Sequence, residues 1–308
     1  MNDQQKNCLK SFFRGKLLCD TLLKDFVSFK IGGPAEVIAF PYDLEDLIKL
    51  YLFLRNEKIS YLVLGEGTNI LIRDGGFKGV VIKLSLGFGN VKLDKIEGRK
   101  VFVKAQAGGR LSNTLKFSLQ NSLTGLEFTS GIPGSIGGAL IMNAGAYGGE
   151  IKDIISSVDV LTSQGTVIEL RREDISFSYR KSNLPSDYII IGVKFELKQG
   201  NKQEIAALIQ KTSNKRKKSQ PLNLPSAGSV FKNPPGHFAA RLIEEIGLKG
   251  YQVGGAAVSE QHANFIVNQG SATAKDVLEL MAIIQEKVWQ EKGIKLEPEI
   301  RVVGEERV

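Results

Sequence analysis

Across residues 43–58 the apolar positions 44, 47, 48, 51 and 54 recur at helical spacing, and Asp43 stands where a helix N-cap belongs. The apolar run 59–64 follows, so the pattern predicts a helix feeding a buried strand that ends at the loop GEGTN. Strand patterns cover 80–84 (VVIKL), 101–107 (VFVKAQA), 157–170 (SVDVLTSQGTVIEL) and 188–198 (YIIIGVKFELK), the third interrupted by a Ser-Gln-Gly turn suited to a hairpin. Helical spacing returns over 202–213, over 237–246 before Gly247, and from Thr273 to Lys292 before Gly293. Thr273 and Asp276 have the spacing of a capping box.

This succession predicts an α+β chain. A mixed N-terminal unit is expected over 1–85, to which a last strand at 298–308 returns, then a strand-rich unit over 86–202 and an α/β unit over 203–297. At 308 residues, 42% hydrophobic and 24% charged, the chain is long enough for two or three such units and too apolar for disorder. The N-terminal residues contain no signal-like apolar run, and no stretch approaches the roughly 20 apolar residues of a membrane span, so a cytoplasmic protein is expected.

Cys8 and Cys19 have neither C-x-x-C spacing nor neighbouring histidines, which signals no metal site and no redox pair. The net charge of +8 invites an anionic partner, yet most basic residues are scattered. The one dense run, at 215–218, follows a helical pattern and precedes Pro221. It reads either as a solvated helix end that complements the dipole or as the seat of one anion-binding cation. Aromatic residues are not interleaved with it, which argues against nucleic acid.

Seven glycines fall within GIPGSIGGALIMNAGAYGG, residues 131–149, far above the usual share of about 7%. Such a loop serves either tight turns or a backbone that approaches phosphate oxygens closely. The second loop, at 65–69, lacks the third glycine of the dinucleotide fingerprint, and G-K-[ST] occurs nowhere, so neither a Rossmann domain nor a P-loop is indicated. Two such loops in a strand-rich setting suit a large diphosphate cofactor.

PSAGSVFKNP, at 225–234, puts Ser229 between a glycine and the start of an expected strand. His237 and His262 are the only histidines, and neither is followed by an evident carboxylate orienter. The G-x-S-x-G nucleophile context is also missing, so a hydrolase serine is not indicated.

KIGGPAE (30–36), LGEGTNILI (64–72), SGIPGSIGGALIMNAGAYG (130–148), FSYRKS (177–182), RKKSQP (216–221), SAGSVFKNP (226–234), HANFIVN (262–268) and LEPEIR (296–301) occur in this order. Together they resemble the UDP-N-acetylenolpyruvoylglucosamine reductase family over residues 25–303. The resemblance implies FAD held by two subdomains of the vanillyl-alcohol-oxidase (PCMH) type, a third domain for substrate, NADPH as hydride donor, and a place in peptidoglycan synthesis. A monomer with no nucleic-acid partner and no membrane span is expected.

By the same resemblance FAD contacts fall on Lys30, Ile31, Gly32, Gly65, Glu66, Gly67, Thr68, Asn69, Gly131, Pro133, Gly134 and Ser135. Arg180 and Glu299 correspond to the groups that stabilise charge, and Ser229 to the acid that protonates carbon. Glu299 is then expected either to titrate above an ordinary carboxyl or to reach the substrate through a proton or a water, because a bare ionised group would repel the developing anion. Read without the resemblance, Ser229 is a turn hydroxyl and Glu299 with Arg301 an exposed charge pair. Substrate contacts carry over to Tyr147, Tyr179, Arg216, Lys232, Asn233, Gln261 and Arg301. Only 35 residues separate Arg180 from Arg216, too few for the inserted segment of the family's long-loop branch, so the shorter branch is expected. Another flavin oxidoreductase on the same fold is the alternative.

Overall fold

The computed structural model describes residues 1–307. The chain divides into two compact units, the first comprising Met1–Leu18, Ile38–Glu66 and Gly79–Arg216, the second Cys19–Val37, Gly67–Lys78 and Lys217–Val308.

Unit 1 is organised by an antiparallel sheet in the order Val167–Arg171, Ile155–Leu161, Ile189–Gln199, Lys100–Gln106, Val91–Glu97, with Leu123–Thr124 pairing the end of the central strand. The central strand is buried over 189–193, which accounts for its unbroken IIIGV run. Four of these strands match the expected patterns to within a few residues, and Leu161 faces Val167 across the expected Ser-Gln-Gly turn. A second sheet runs Lys16–Leu22, Pro34–Phe40, Phe77–Lys83, Tyr61–Leu64, and its first three strands each cross a unit boundary.

Helix Leu44–Asn56 begins at Asp43, whose carboxylate accepts from the Asp46 N–H. Asp46 itself is buried and accepts backbone N–H groups from Arg14 (3.0 Å), Gly15 (3.0 Å) and Tyr42 (2.9 Å), tying the N-terminal segment to this helix. Asp46→Ala strands those three donors. It is expected to cost about 3 kcal/mol in chemical denaturation, with Asp46→Asn, which keeps one acceptor oxygen, intermediate, and a negligible loss for Asp46→Ala would show that the three hydrogen bonds do not hold the segment.

Three helices escape the periodicity reading. Asp3–Phe12 is mostly polar and is started by a capping box between Asn2 and Gln5; Leu111–Gln120 has no side-chain cap; Ile136–Ile141 lies inside the glycine-rich run. Lys202–Ser219 is longer than the predicted 202–213, because lysine and arginine are good helix formers and the helix stops only before Pro221.

Unit 2 has its own core. Phe29, Ile31 and Leu71 pack with Val230, Phe231, Ile266 and the buried face of helix Ala274–Lys292. That helix has the predicted capping box at Thr273 and Asp276 and ends at Gly293. Its antiparallel sheet runs Ser226–Ser229, Phe265–Asn268, Ala256–Val258, Gln252–Val253, and Arg301–Val303 pairs in parallel with Ile70–Ile72. Ser229 ends a strand here rather than preceding one. The register shifts between Ser226 and Ser229, and beyond them an isolated bridge joins Phe231 to Pro298. Pro234 and Pro235, lacking N–H groups, cannot extend the ladder. Among the described residues no helix is long and apolar enough to cross a membrane.

Candidate active site

Unit 1 brings two glycine-rich segments together. A Cβ on Gly65 would lie 2.1 Å from the Ser135 hydroxyl oxygen, so this approach requires glycine. Ser135 caps helix Ile136–Ile141 by accepting from the Gly138 N–H at 3.2 Å, and Gly134 accepts from Leu111 at 3.0 Å. Pro133 is exposed beside them. Glu66 receives the Arg110 guanidinium at 2.9 Å.

Beneath this loop sits a cation that the motifs did not single out. Lys83, 9% exposed, donates its ammonium to the Gly65 carbonyl, and burial, opposed by Glu66 and reinforced by Arg110, lowers its pKa. A lone lysine in the apolar run VVIKL was the available signal. Close backbone approach with a buried positive charge suits the diphosphate of a flavin dinucleotide.

Arg180 occupies the turn of a short hairpin, Phe177–Ser178 with Lys181–Ser182. It donates to the Gly145 carbonyl at 3.2 Å, and its guanidinium lies 5.1 Å from the Tyr179 ring centroid. Arg216, the buried member of the basic run, lies 5.8 Å from the Tyr147 ring. Gly131, at φ 75°, leaves room for it, since a Cβ there would meet Arg216 Cδ at 2.7 Å. Burial lowers the Arg216 pKa, Tyr147 opposes that shift, and the charge on Arg180 adds to it. Two guanidinium groups that repel each other between exposed tyrosines form a ready site for an anion. Lys215, Lys217 and Lys218 stay exposed.

In unit 2, Ser229 and Glu299 come from segments 70 residues apart in sequence. The Glu299 N–H donates to the Val230 carbonyl at 2.7 Å and the Lys232 N–H to Glu297 at 2.8 Å, which sets the two segments side by side. Asn69 holds the second of them by donating from its side chain to the Glu299 carbonyl at 3.1 Å and accepting the Arg301 N–H at 3.1 Å. Lys232 pairs with Glu297 at 3.3 Å, and Asn233 accepts the Ala239 N–H at 3.0 Å. Gln261 donates to the Lys217 and Lys218 carbonyls, capping the end of the basic helix. His262 is held against Phe265 with its pKa lowered by burial.

Lys30, Ile31 and Gly32 also belong to unit 2. Ile31 is buried in its core, and Asn268 donates to the Phe29 carbonyl at 3.1 Å. Gly67 accepts from the Ser28 N–H at 3.0 Å, with Thr68 half-buried next to it. Asn264 is a further residue that the motifs contained without a role. It accepts the Val230 N–H on its carbonyl (2.8 Å), accepts the Phe231 N–H on its side chain (2.9 Å) and donates to the Phe231 carbonyl (2.8 Å). The chain just after Ser229 is thereby fixed. Thus unit 1 gathers Arg180, Arg216, Tyr147 and Tyr179, while unit 2 gathers Ser229, Glu299, Lys232, Asn69 and Arg301.

Backbone strain marks three of the expected site residues. Of the seven non-glycine residues with positive φ among those described, Lys30 (57°), Tyr147 (53°) and Arg180 (57°) are expected site residues. Such conformations cost about 1–3 kcal/mol each and cluster at functional sites.

A family model described as the UDP-N-acetylenolpyruvoylglucosamine reductase C-terminal domain matches residues 220–303, and one described as an FAD binding domain matches 35–171. The chain is 46% identical over 304 residues to the UDP-N-acetylenolpyruvoylglucosamine reductase of Caldanaerobacter subterraneus subsp. tengcongensis, covering 98% of each. It is 43% identical over 309 residues to that of Clostridioides difficile, covering 99% of this chain and all of the relative. A crystal structure of the Thermus caldophilus reductase superposes with a TM-score of 0.80 at 38% identity, over 94% of this chain and 99% of that one. The fold is the expected α+β fold with an FAD-binding part. The chain is an FAD-dependent oxidoreductase and belongs to the UDP-N-acetylenolpyruvoylglucosamine reductase family, as its eight ordered motifs implied.

Proposed function

We propose that the chain reduces the enolpyruvyl ether of UDP-N-acetylenolpyruvoylglucosamine to UDP-N-acetylmuramate, with NADPH as hydride donor, as a step of peptidoglycan synthesis. The observation that carries this reading is the backbone pairing between the segments of Ser229 and Glu299, two residues with matching parts in one reaction. When bound, FAD would supply two-electron hydride chemistry between NADPH and the enolpyruvyl β-carbon. Negative charge then gathers on the α-carbon and its carboxylate. Arg180 stabilises it as a preorganised cation, and Glu299 through a proton that it holds or shares, or through a water. The Ser229 hydroxyl gives its proton to the α-carbon, completing the addition of one hydride and one proton across the double bond.

Tyr147, Tyr179, Arg216, Lys232, Asn233, Gln261 and Arg301 serve the nucleotide sugar in this reading, with Arg216 suited to its diphosphate. The loops at 30–32, 65–69 and 131–135 serve FAD. The division at 1–85, 86–202 and 203–297 follows, with its proposed return strand at 298–308 extending one residue past those described. Between Arg180 and Arg216 lie only Lys181–Ser182, Ile189–Gln199 and the part of helix Lys202–Ser219 that precedes Arg216, with their links, which supports the short-loop branch.

The decisive measurement is anaerobic. NADPH should bleach the flavin absorption of the purified protein, and UDP-N-acetylenolpyruvoylglucosamine should restore it, while UDP-N-acetylglucosamine, lacking the enolpyruvyl group, should not. Bleaching without recovery would favour another flavin oxidoreductase. Lys83→Met is expected to weaken FAD binding about tenfold, read from the flavin fluorescence released on dilution. Unchanged retention would remove Lys83 from the cofactor cradle.

A further inference from the structure

We infer that Asn143 is a positioning residue, a buried amide that braces the hairpin presenting Tyr147 against the hairpin presenting Tyr179 and Arg180. The inference rests on the reading of those three residues as substrate-facing. Asn143 is fully buried and follows helix Ile136–Ile141 with φ 40°. Its side-chain nitrogen donates to Glu150 Oε2 at 3.0 Å and to the Ser178 carbonyl at 3.3 Å, and its oxygen accepts the Lys152 N–H at 3.0 Å. Glu150 closes the hairpin Gly145–Ala146 with Gly149–Glu150, whose turn carries Tyr147. Ser178 lies in the hairpin whose turn is Tyr179 and Arg180. Arg180 returns the connection by donating to Gly145.

Each hairpin has strands of only two residues, far too short to hold its own geometry. Both turns also contain a residue in the left-handed region, Tyr147 in one and Arg180 in the other, so surrounding structure must enforce them. Asparagine meets the requirements at 143 together. It tolerates the left-handed backbone, and a single amide group offers two donors and an acceptor. Lys152, at 2.5 Å from Glu150 Oε2, keeps that carboxylate charged as an acceptor for the amide. An aspartate at 143 would lose both donors and set a carboxylate against Glu150.

The test compares FAD-loaded wild type, Asn143→Asp and Asn143→Asp/Glu150→Gln by hydrogen exchange and by stopped-flow absorbance. Asn143→Asp should speed exchange about tenfold in both 145–150 and 177–182. It should slow flavin reoxidation by substrate about tenfold while leaving flavin reduction by NADPH within about twofold. In the double variant the amide at 150 can donate to the carboxylate at 143. Exchange at 145–150 should then return towards wild type while 177–182 stays fast. Unchanged exchange at 177–182 in Asn143→Asp, a rise spread through the whole protein, or a double variant indistinguishable from the single would overturn the proposal. If Asn143→Asp does not fold, Asn143→Gly, which keeps the left-handed backbone and loses the amide, carries the same exchange test. Should Arg180→Ala leave the substrate step intact, the reading of Arg180 falls, while the exchange result still decides the brace.

Discussion

Ser229→Ala is expected to reduce turnover by roughly 10²- to 10⁴-fold, the range for removing a positioned general acid, without impairing flavin reduction by NADPH. A serine hydroxyl is a weak acid, but the carbon it is proposed to protonate is strongly basic, so no histidine is needed to activate it. The neighbouring structure makes this substitution clean. Val230 and Phe231 are fixed through backbone groups by Asn264 and Glu299, and none of those bonds involves the Ser229 side chain. Stopped-flow mixing with NADPH, followed by substrate, separates the two half-reactions in one preparation. Equal losses in both would make the serine a structural residue.

Arg180→Ala should lower kcat by about 10²- to 10³-fold, the cost of removing one preorganised donor to developing charge, with a smaller change in KM. Arg180→Lys should recover little, because an ammonium does not present the planar fork of a guanidinium. Arg180→Gly is the informative control, since glycine relieves the positive φ while deleting the guanidinium. A glycine variant as slow as the alanine variant, yet more resistant to denaturant, would assign the strain to the hairpin and the catalysis to the side chain. A rise in KM alone would reduce Arg180 to a binding group.

Much of the fold was legible because its strands and helices bury faces with a clear period. The strand Ile189–Gln199 and the helix Ala274–Lys292 declare themselves by an apolar run and by paired caps. The helix Ile136–Ile141 did not, since its two glycines give no helical propensity and it forms by packing and by the Ser135 cap. The motifs named the residues of the proposed site but not what holds them. Asn143, Asn264 and Asn69 act through backbone carbonyls and N–H groups of distant segments, and no spacing rule in one sequence encodes a partner over 200 residues away, as for Asn69 and Glu299. Lys83 was hidden for the opposite reason, a single charge in a strand otherwise read as core.

The chain passes between its two units five times, after residues 18, 37, 66, 78 and 216. Phe29, Ile31 and Leu71, from short early segments, are built into the core formed mostly by residues after 226. Neither unit can therefore be produced by truncation. A fragment ending at 216 would carry three large apolar side chains with their core missing, and one beginning at 217 would have the corresponding gaps. During synthesis the early segments must wait for the last third of the chain to emerge, so Phe29, Ile31 and Leu71 stay without their core until translation is almost complete.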